Sequence, residues 1–260
     1  MELTILASGS KGNCAYLAGE SGALLIDAGL SARELLRRLH AAGCDAARIQ
    51  AILVTHEHTD HIRGVNALAR RLDVPVYATG GTLEELCFRS RAQVLDAKRC
   101  ICGQQFRVGD LLVEPFATSH DAREPCGYCI SDGDVRVGCC TDTGIVTSGI
   151  MDHLSSCDAV ILESNHCPDM LKRGPYPEFL KRRISSQRGH LSNAAAAICL
   201  QELADAVRHV VLAHVSEVNN TPERVLAQAR GGLGLFTHVQ VSVAAQHPDL
   251  SGSGAVRIRM

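Results

Sequence analysis

The feature that most constrains this chain is a cluster of three histidines and an aspartate within six positions. His56, His58, Asp60 and His61 come directly after residues 49–54, a continuous apolar run that predicts a buried strand. Residues two apart in an extended segment point to the same side, so the first two histidines share one side of a loop. Imidazole and carboxylate ligands suit zinc, manganese or iron. The cluster therefore predicts a metal site beside a strand, the alternative being a polar surface loop that is rich in histidine.

Three more ligand candidates stand at the ends of predicted strands. His120 is the only histidine between His61 and residue 150, and it follows the predicted strand 111–116. Asp142 follows an apolar run that ends at residue 139, and His214 closes the run 209–213. Each of these residues alone would more often be structural, because polar residues are common at strand ends. Together they can converge on one edge of a sheet scaffold and complete a metal site.

Strand and helix patterns alternate along the chain. Gly109-Asp110 separates the apolar runs 106–108 and 111–116, which predicts a hairpin. Thr221 and Pro222 place an N-cap and a first-turn proline before a late helix. Each half of the chain contains strands followed by helices. This pattern predicts two packed sheets that are covered by helices on both outer sides.

Composition limits the location and the partners of the protein. The 260 residues include 26 basic and 28 acidic side chains, so a nucleic acid would have to be held by a local basic patch. The N-terminus carries no targeting pattern, no apolar run approaches the ~20 residues of a membrane span, and we expect no membrane partner. Twelve cysteines without a secretion signal indicate a reducing compartment, and thus the cytoplasm. We interpret Cys126 and Cys129 as packed thiols rather than as a zinc site.

The chain is short enough for a single domain over residues 1–260. Residues 252–260 begin with glycine and serine and continue with arginines, so we expect a flexible tail there. The sequence leaves the oligomeric state open.

The histidine–aspartate cluster, with His120, Asp142 and His214, resembles the metal motifs of the metallo-β-lactamase superfamily. The resemblance implies an α/β fold, a four-layer α/β/β/α sandwich. It also implies two divalent ions, Zn²⁺ or Mn²⁺, that activate a bridging hydroxide for hydrolysis. The implied ligands are His56, His58 and His120 for one ion and Asp60, His61 and His214 for the other, with Asp142 bridging.

Two further motifs resemble the nucleic-acid-processing branch of this superfamily. Glu163 ends a predicted strand, and His190 comes just before a predicted helix that starts at Asn193. In that branch a glutamate orients a histidine that donates a proton to the leaving group, which implies that Glu163 orients His190 and that His190 acts as general acid or phosphate clamp. Asp60 of the metal cluster is the third expected catalytic residue. Leu162 stands where the tRNA 3′-processing endonucleases of this branch carry an additional histidine, so the likeness is incomplete there.

The motifs at residues 7–13, 163–166, 189–193 and 214–222 are similar to those of the YycJ/WalJ group. This similarity implies a phosphodiesterase, namely a 5′-to-3′ exonuclease with double-stranded DNA as its substrate. The glycine–serine loop after the first strand has free N–H groups that could hold a phosphate end, although such a loop is also an ordinary tight turn. The expected substrate-binding residues are Ser10, Lys11, Asn13 and Ser192.

Two other functions stay open on the sequence alone. A small-molecule hydrolase with the same fold would cleave a cyclic phosphodiester, a thioester or a lactone, because fold does not decide the substrate. A non-catalytic regulatory protein with structural metals is the third possibility. The sequence assigns no role to His166 and does not distinguish zinc from manganese.

Overall fold

The computed structural model describes residues 1–90, 96–250 and 256–260, and within these ranges the strands form two seven-stranded sheets. The strands of the first sheet are β1 (Glu2–Ala7), β2 (Cys14–Ala18), β3 (Ala23–Ile26), β4 (Ile49–Leu53), β5 (Val76–Thr79), β6 (Ala97–Cys100) and β14 (Arg257–Arg259). The second sheet contains β7 (Phe106–Val108), β8 (Leu111–Ala117), β9 (Cys126–Ser131), β10 (Arg136–Cys140), β11 (Ala159–Glu163), β12 (His209–Ala213) and β13 (Gln240–Val243). Each sheet is partly antiparallel and partly parallel, with strand orders β14-β1-β2-β3-β4-β5-β6 and β13-β12-β11-β10-β9-β8-β7.

Helices cover the outer faces of the sheets. They are α1 (Ala32–Ala41), α2 (Thr59–Ile62), α3 (Val65–Leu72), α4 (Gly80–Ser90), α5 (Ser148–Leu154), α6 (Pro168–Arg173), α7 (Glu178–Ile184), α8 (Asn193–Leu203) and α9 (Pro222–Leu233). The predicted start of α9 is confirmed, because the Thr221 hydroxyl accepts a hydrogen bond from the Arg224 N–H at 3.3 Å. In the described ranges, the helices are all too short or too polar to cross a bilayer.

Alternation along the strands produces three apolar cores. In β3, Leu24 and Ile26 point into the space between the sheets, whereas Ala23 and Leu25 point toward the helices. The core outside the first sheet receives buried residues of α1, α3 and α4, and the core outside the second receives those of α5, α8 and α9. Burial of each such leucine contributes about 1.5–3 kcal/mol. The expected α/β/β/α sandwich is therefore confirmed.

The C-terminal end corrects one expectation. Residues 252–255 of the expected flexible tail lie outside the described residues, but Arg257–Arg259 forms a strand that pairs antiparallel with β1. Ile258, opposite Leu3, is buried between two exposed arginines. A three-residue alternation is too short to recognise beside a glycine- and serine-rich run, and its partner strand lies at the other end of the chain.

Candidate metal centre

The first part of the site is the loop after β4. This loop carries His56 and His58, and the short helix α2 that follows it carries Asp60 and His61. The loop packs tightly on the turn after β3, where a Cβ atom on Gly29 would come within 1.6 Å of the Asp60 carbonyl oxygen. Glycine at this position thus allows the ligand loop to lie against the first sheet.

The second part of the site comes from the other sheet. His120, Asp142 and His214 follow β8, β10 and β12, and Glu163 is the last residue of β11. Asp142 and His214 have φ angles of 55° and 53°, a left-handed conformation that non-glycine residues seldom adopt. Such backbone strain is typical of functional sites, and here it occurs where the chain leaves β10 and β12, the two parallel strands on either side of β11.

The structure brings the predicted ligand atoms together in two groups. The ligand-type atoms of His56, His58 and His120 lie within 4.8 Å of one another, and so do those of Asp60, His61 and His214. Asp142 lies between the groups. Its Oδ2 is 3.1 Å from His61 Nε2 and its Oδ1 is 3.7 Å from His120 Nε2. This is the position at which a carboxylate could contact two ions.

Hydrogen bonds behind the histidines fix the orientation of their rings. His61 Nδ1–H donates to Asp27 Oδ2 at 2.7 Å, and His120 Nδ1–H donates to the Gly189 carbonyl at 2.9 Å. The hydroxyl of Thr55 donates to Asp27 Oδ2 and so accepts from His56 Nδ1–H at 3.0 Å. In each of these rings Nε2 is the nitrogen that faces the centre, as in metal sites where outer partners orient the ring.

The donor set fits divalent cations. His56 Nε2 and Asp142 Oδ2 are buried and have no hydrogen-bond partner among the described residues. Burial lowers the pKa of His56 well below its ordinary value, so its imidazole is neutral and has a free lone pair. At His214 burial opposes the charged ring, but Asp142, Asp60 and Glu163 outweigh it and raise the pKa to about 10. The carboxylates therefore make this pocket favourable for positive charge.

A glutamate–histidine pair completes the centre. Glu163 Oε1 accepts hydrogen bonds from His190 Nδ1–H at 2.7 Å and from His214 Nδ1–H at 3.1 Å. Its Oε2 accepts the backbone N–H groups of Thr143 and Leu191. Burial would raise the pKa of Glu163, but the two histidines lower it to about 2. The carboxylate is thus anionic and has partners on both oxygens, and it holds the His190 ring at the rim of the centre.

The centre opens into a cavity of about 330 Å³. Ser10, Asp60, Asp142, His190 and His214 are among the residues that line it. All five of these residues were expected at the site from the sequence.

Three of the four expected substrate-binding residues do not line the cavity. Lys11 does not line the cavity and pairs with Glu217 at 2.6 Å. The Ser192 hydroxyl caps α8 by accepting the Ala195 N–H. Asn13 is buried beside the ligands, with Nδ2 3.0 Å from His61 Nε2 and 3.4 Å from Asp60 Oδ2. Serine and asparagine serve caps and loops as readily as ligands, and the sequence pattern does not separate these roles.

The sequence analysis did not identify Asp27. It also did not identify the residues of α7 that line the cavity, which are Leu180, Arg183 and Ile184. Asp27 follows β3 just as Asp142 follows β10, so the same strand-end pattern could have identified it. His166, which the sequence left open, is buried outside the cavity lining, and its Nδ1 has no partner among the described residues. The thiols of Cys126 and Cys129 are buried, and neither is part of a disulfide, in agreement with the interpretation as packed thiols.

Comparison with known proteins agrees with this architecture. The profile of the beta-lactamase superfamily domain matches residues 23–215. The fold and the site define a metal-dependent hydrolase, and the chain belongs to the metallo-β-lactamase superfamily. Zn²⁺-bound PqqB from Methylobacterium extorquens has the same fold, with a TM-score of 0.73, 17% identity and complete coverage of both chains. The short form of human tRNase Z aligns with a TM-score of 0.68 at 16% identity, over 100% of this chain and 99% of the other.

Relatives with similar sequences indicate the group within this superfamily to which the chain is related. Exodeoxyribonuclease YycJ of Bacillus anthracis is 38% identical over 225 residues, which cover 86% of this chain and 85% of the relative. Exodeoxyribonuclease WalJ of Streptococcus pneumoniae is 35% identical over 243 residues, which cover 89% and 90%. The expected relationship to the YycJ/WalJ group is therefore confirmed.

Proposed function

We propose that this protein is a dinuclear metal-dependent exonuclease that degrades double-stranded DNA in the 5′-to-3′ direction. The observation that carries the proposal is the pair of ligand groups that share Asp142, in a chain that aligns almost completely with proteins named exodeoxyribonucleases. Cleavage of a phosphodiester requires charge on both the attacking and the leaving oxygen to be offset. Two adjacent ligand groups suit that requirement better than a single one.

We assign His56, His58 and His120 to one ion, Asp60, His61 and His214 to the other, and Asp142 to both. Zn²⁺ and Mn²⁺ are both compatible with these imidazole and carboxylate ligands. When bound, such ions supply an activated water and offset the negative charge of the phosphate.

Side chains that line the cavity or lie behind it would transfer the proton and position the reacting groups. His190 faces the cavity, and its Nδ1–H donates to Glu163, so its Nε2 is available to a substrate. From there His190 would give a proton to the leaving deoxyribose oxygen, and Glu163 would keep the ring in place. Asp60 reaches the cavity from the opposite sheet, with Oδ2 3.4 Å from His214 Nε2, and would help to fix the reacting groups.

The decisive experiment combines metal content with a nuclease assay. We expect about two ions per chain and progressive digestion of 5′-phosphorylated duplex DNA from its 5′ ends. His61→Ala should abolish digestion while the protein stays folded, whereas His40→Ala, at an exposed position of α1, should digest as the parent protein does. Metal-loaded protein that leaves the duplex intact would refute the proposal.

A small-molecule hydrolase is the second candidate. The observation in its favour is the cavity of about 330 Å³, which is of the size that encloses small ligands. Parallel assays with a cyclic dinucleotide, a thioester, a lactone and duplex DNA separate the two functions. Turnover of a small ester without DNA cleavage would establish the second candidate.

We also propose that the chain functions as one domain in the cytoplasm. Residues of both sheets form a common core, which supports a single unit. Twelve free cysteines, most of them buried, are in keeping with a reducing compartment.

A further inference from the structure

Basic residues are concentrated in one short segment beside the centre. Residues 168–188 contain six lysines and arginines against two acidic residues, which leaves 20 basic and 26 acidic residues in the rest of the chain. A chain with a net charge of −2 thus carries a local excess of positive charge. Such an excess on one face is the electrostatic pattern expected where a phosphate backbone binds.

Helix α7, within this segment, forms a wall of the cavity. Leu180, Arg183 and Ile184 line the cavity together with Tyr176, just before the helix. The spacing of three and four residues places these helix positions on one face. Arg183 also pairs with Asp121, which follows the ligand His120, so the helix is fixed to the metal centre.

An exposed aromatic side chain lies next to this face. Phe179 is 73% exposed, and Arg182 and Arg183 follow it at three and four positions, on the same side of the helix. The side chain of Arg182 is exposed, and its guanidinium group makes no hydrogen bond or ion pair with a described residue. Basic residues in the last turn of a helix stabilise the helix dipole, but this effect does not explain an exposed phenylalanine one turn before them.

We propose that Phe179, Arg182 and Arg183 form a platform, the α7 platform, that holds an unpaired DNA strand end leading into the metal cavity. The inference rests on the proposed nuclease function and adds a substrate requirement. Phe179 would stack on a base, and the two guanidinium groups would contact the neighbouring phosphates, the combination by which proteins bind single strands. A base can offer its face to Phe179 only after it leaves the duplex stack. The enzyme therefore acts best on ends that are frayed or carry an overhang.

Equilibrium binding tests the platform independently of cleavage. The probes are fluorescein-labelled duplexes, either blunt or with a five-nucleotide 5′ overhang, whose terminal linkages are hydrolysis-resistant phosphorothioates. They are titrated with metal-loaded protein, and anisotropy is recorded at several salt concentrations. Phe179→Ala should weaken binding of the overhang duplex about tenfold and leave blunt-duplex binding within about twofold. Arg182→Ala should reduce the slope of log affinity against log salt by about 0.7.

The chain offers matched controls. Phe88, on α4, is 81% exposed, so Phe88→Ala removes a similar aromatic surface from a different helix. Arg71→Ala removes an exposed arginine from the last turn of α3, as Arg182→Ala does in α7. Neither control should change the affinity for the overhang. Unaltered melting temperatures would show that the four variants are folded.

The outcomes separate the platform from the function. Parent protein that digests DNA, with Phe179→Ala binding the overhang as tightly as Phe88→Ala does, overturns the platform and keeps the nuclease. Tighter binding of an RNA overhang than of a DNA overhang overturns the assignment to DNA. Parent protein that neither binds nor digests DNA overturns both proposals.

Discussion

At the scale of single residues, the centre depends on side chains that would not touch a metal ion. Asp27 is buried, and one of its oxygens accepts both the His61 Nδ1–H and the Thr55 hydroxyl. The other oxygen accepts the Thr55 backbone N–H at 2.8 Å. One carboxylate thus orients a ligand directly and a second ligand, His56, through Thr55.

The first prediction concerns Asp27→Asn. The amide can accept with only one oxygen, so either the His61 ring or the Thr55 backbone N–H loses its acceptor. We expect metal affinity to fall about 10- to 100-fold, the usual cost of removing an outer partner of a ligating histidine. Competition with a chelator measures this affinity.

Asp73→Asn is the matched control for this change. Asp73 is exposed and has a φ of 55°, close to the 61° of Asp27, and asparagine tolerates that conformation well. Its metal affinity should equal that of the parent protein. Equal affinities for the two variants would contradict the role assigned to Asp27.

The second prediction tests His190 as the proton donor. His190→Ala should lower kcat on DNA by about 10²- to 10⁴-fold, the usual contribution of general acid catalysis. Metal content should not change, because His190 is outside the assigned ligand set. The loss should be much smaller with bis(p-nitrophenyl) phosphate, since nitrophenolate leaves without a proton. Equal losses on both substrates would instead indicate that His190 clamps the phosphate.

The sequence was informative where a residue's position relative to a strand reveals its role. His120, Asp142 and His214 each follow a strand that an apolar run identifies, and the structure brings them to the same place. Lys11 and Ser192 stand in equally suggestive motifs but contact Glu217 and a helix end. Those contacts depend on loop conformation, which local sequence does not determine.

At the scale of elements, β14 shows how a short segment escapes prediction. Its three residues pair with β1 from the opposite end of the chain, and the pairing covers the edge of the first sheet. The predicted hairpin between β7 and β8 needed no such distant partner, because Gly109-Asp110 encodes its turn locally. Likewise α6 and α7 carry few buried residues, so apolar periodicity does not reveal them, whereas an N-cap and a first-turn proline predicted α9.

The third prediction therefore concerns Ile258. Ile258→Ala should lower the free energy of unfolding by about 2 kcal/mol, the lower end for truncating a buried isoleucine, because the strand lies at an edge. Arg259→Ala, an exposed neighbour in β14, should change it by less than about 0.5 kcal/mol. Urea unfolding measures both values. An effect of Ile258→Ala as small as that of Arg259→Ala would mean that β14 contributes nothing to the sheet.

At the scale of the whole molecule, the centre joins the two halves of the sandwich. His56, His58, Asp60 and His61 belong to the first sheet, whereas His120, Asp142 and His214 belong to the second. Each proposed ion would therefore have ligands from both sheets. In the absence of ions, several carboxylates and imidazoles lie buried together with unpartnered atoms, an arrangement that costs free energy.

The last prediction is that metal removal destabilises the entire fold. One ion that binds only the native state stabilises it by about 4 kcal/mol when the free metal is 1,000 times its Kd. For a chain of this size that stabilisation corresponds to about 8–16 °C in Tm for each ion. Excess EDTA, which removes both ions, should lower Tm by at least the amount for one ion in the parent protein and in His40→Ala. His61→Ala should respond less, because it lacks a ligand of one ion. Differential scanning calorimetry measures these shifts, and a Tm that is the same in EDTA and in excess metal would show that the ligands of the two sheets share no ion.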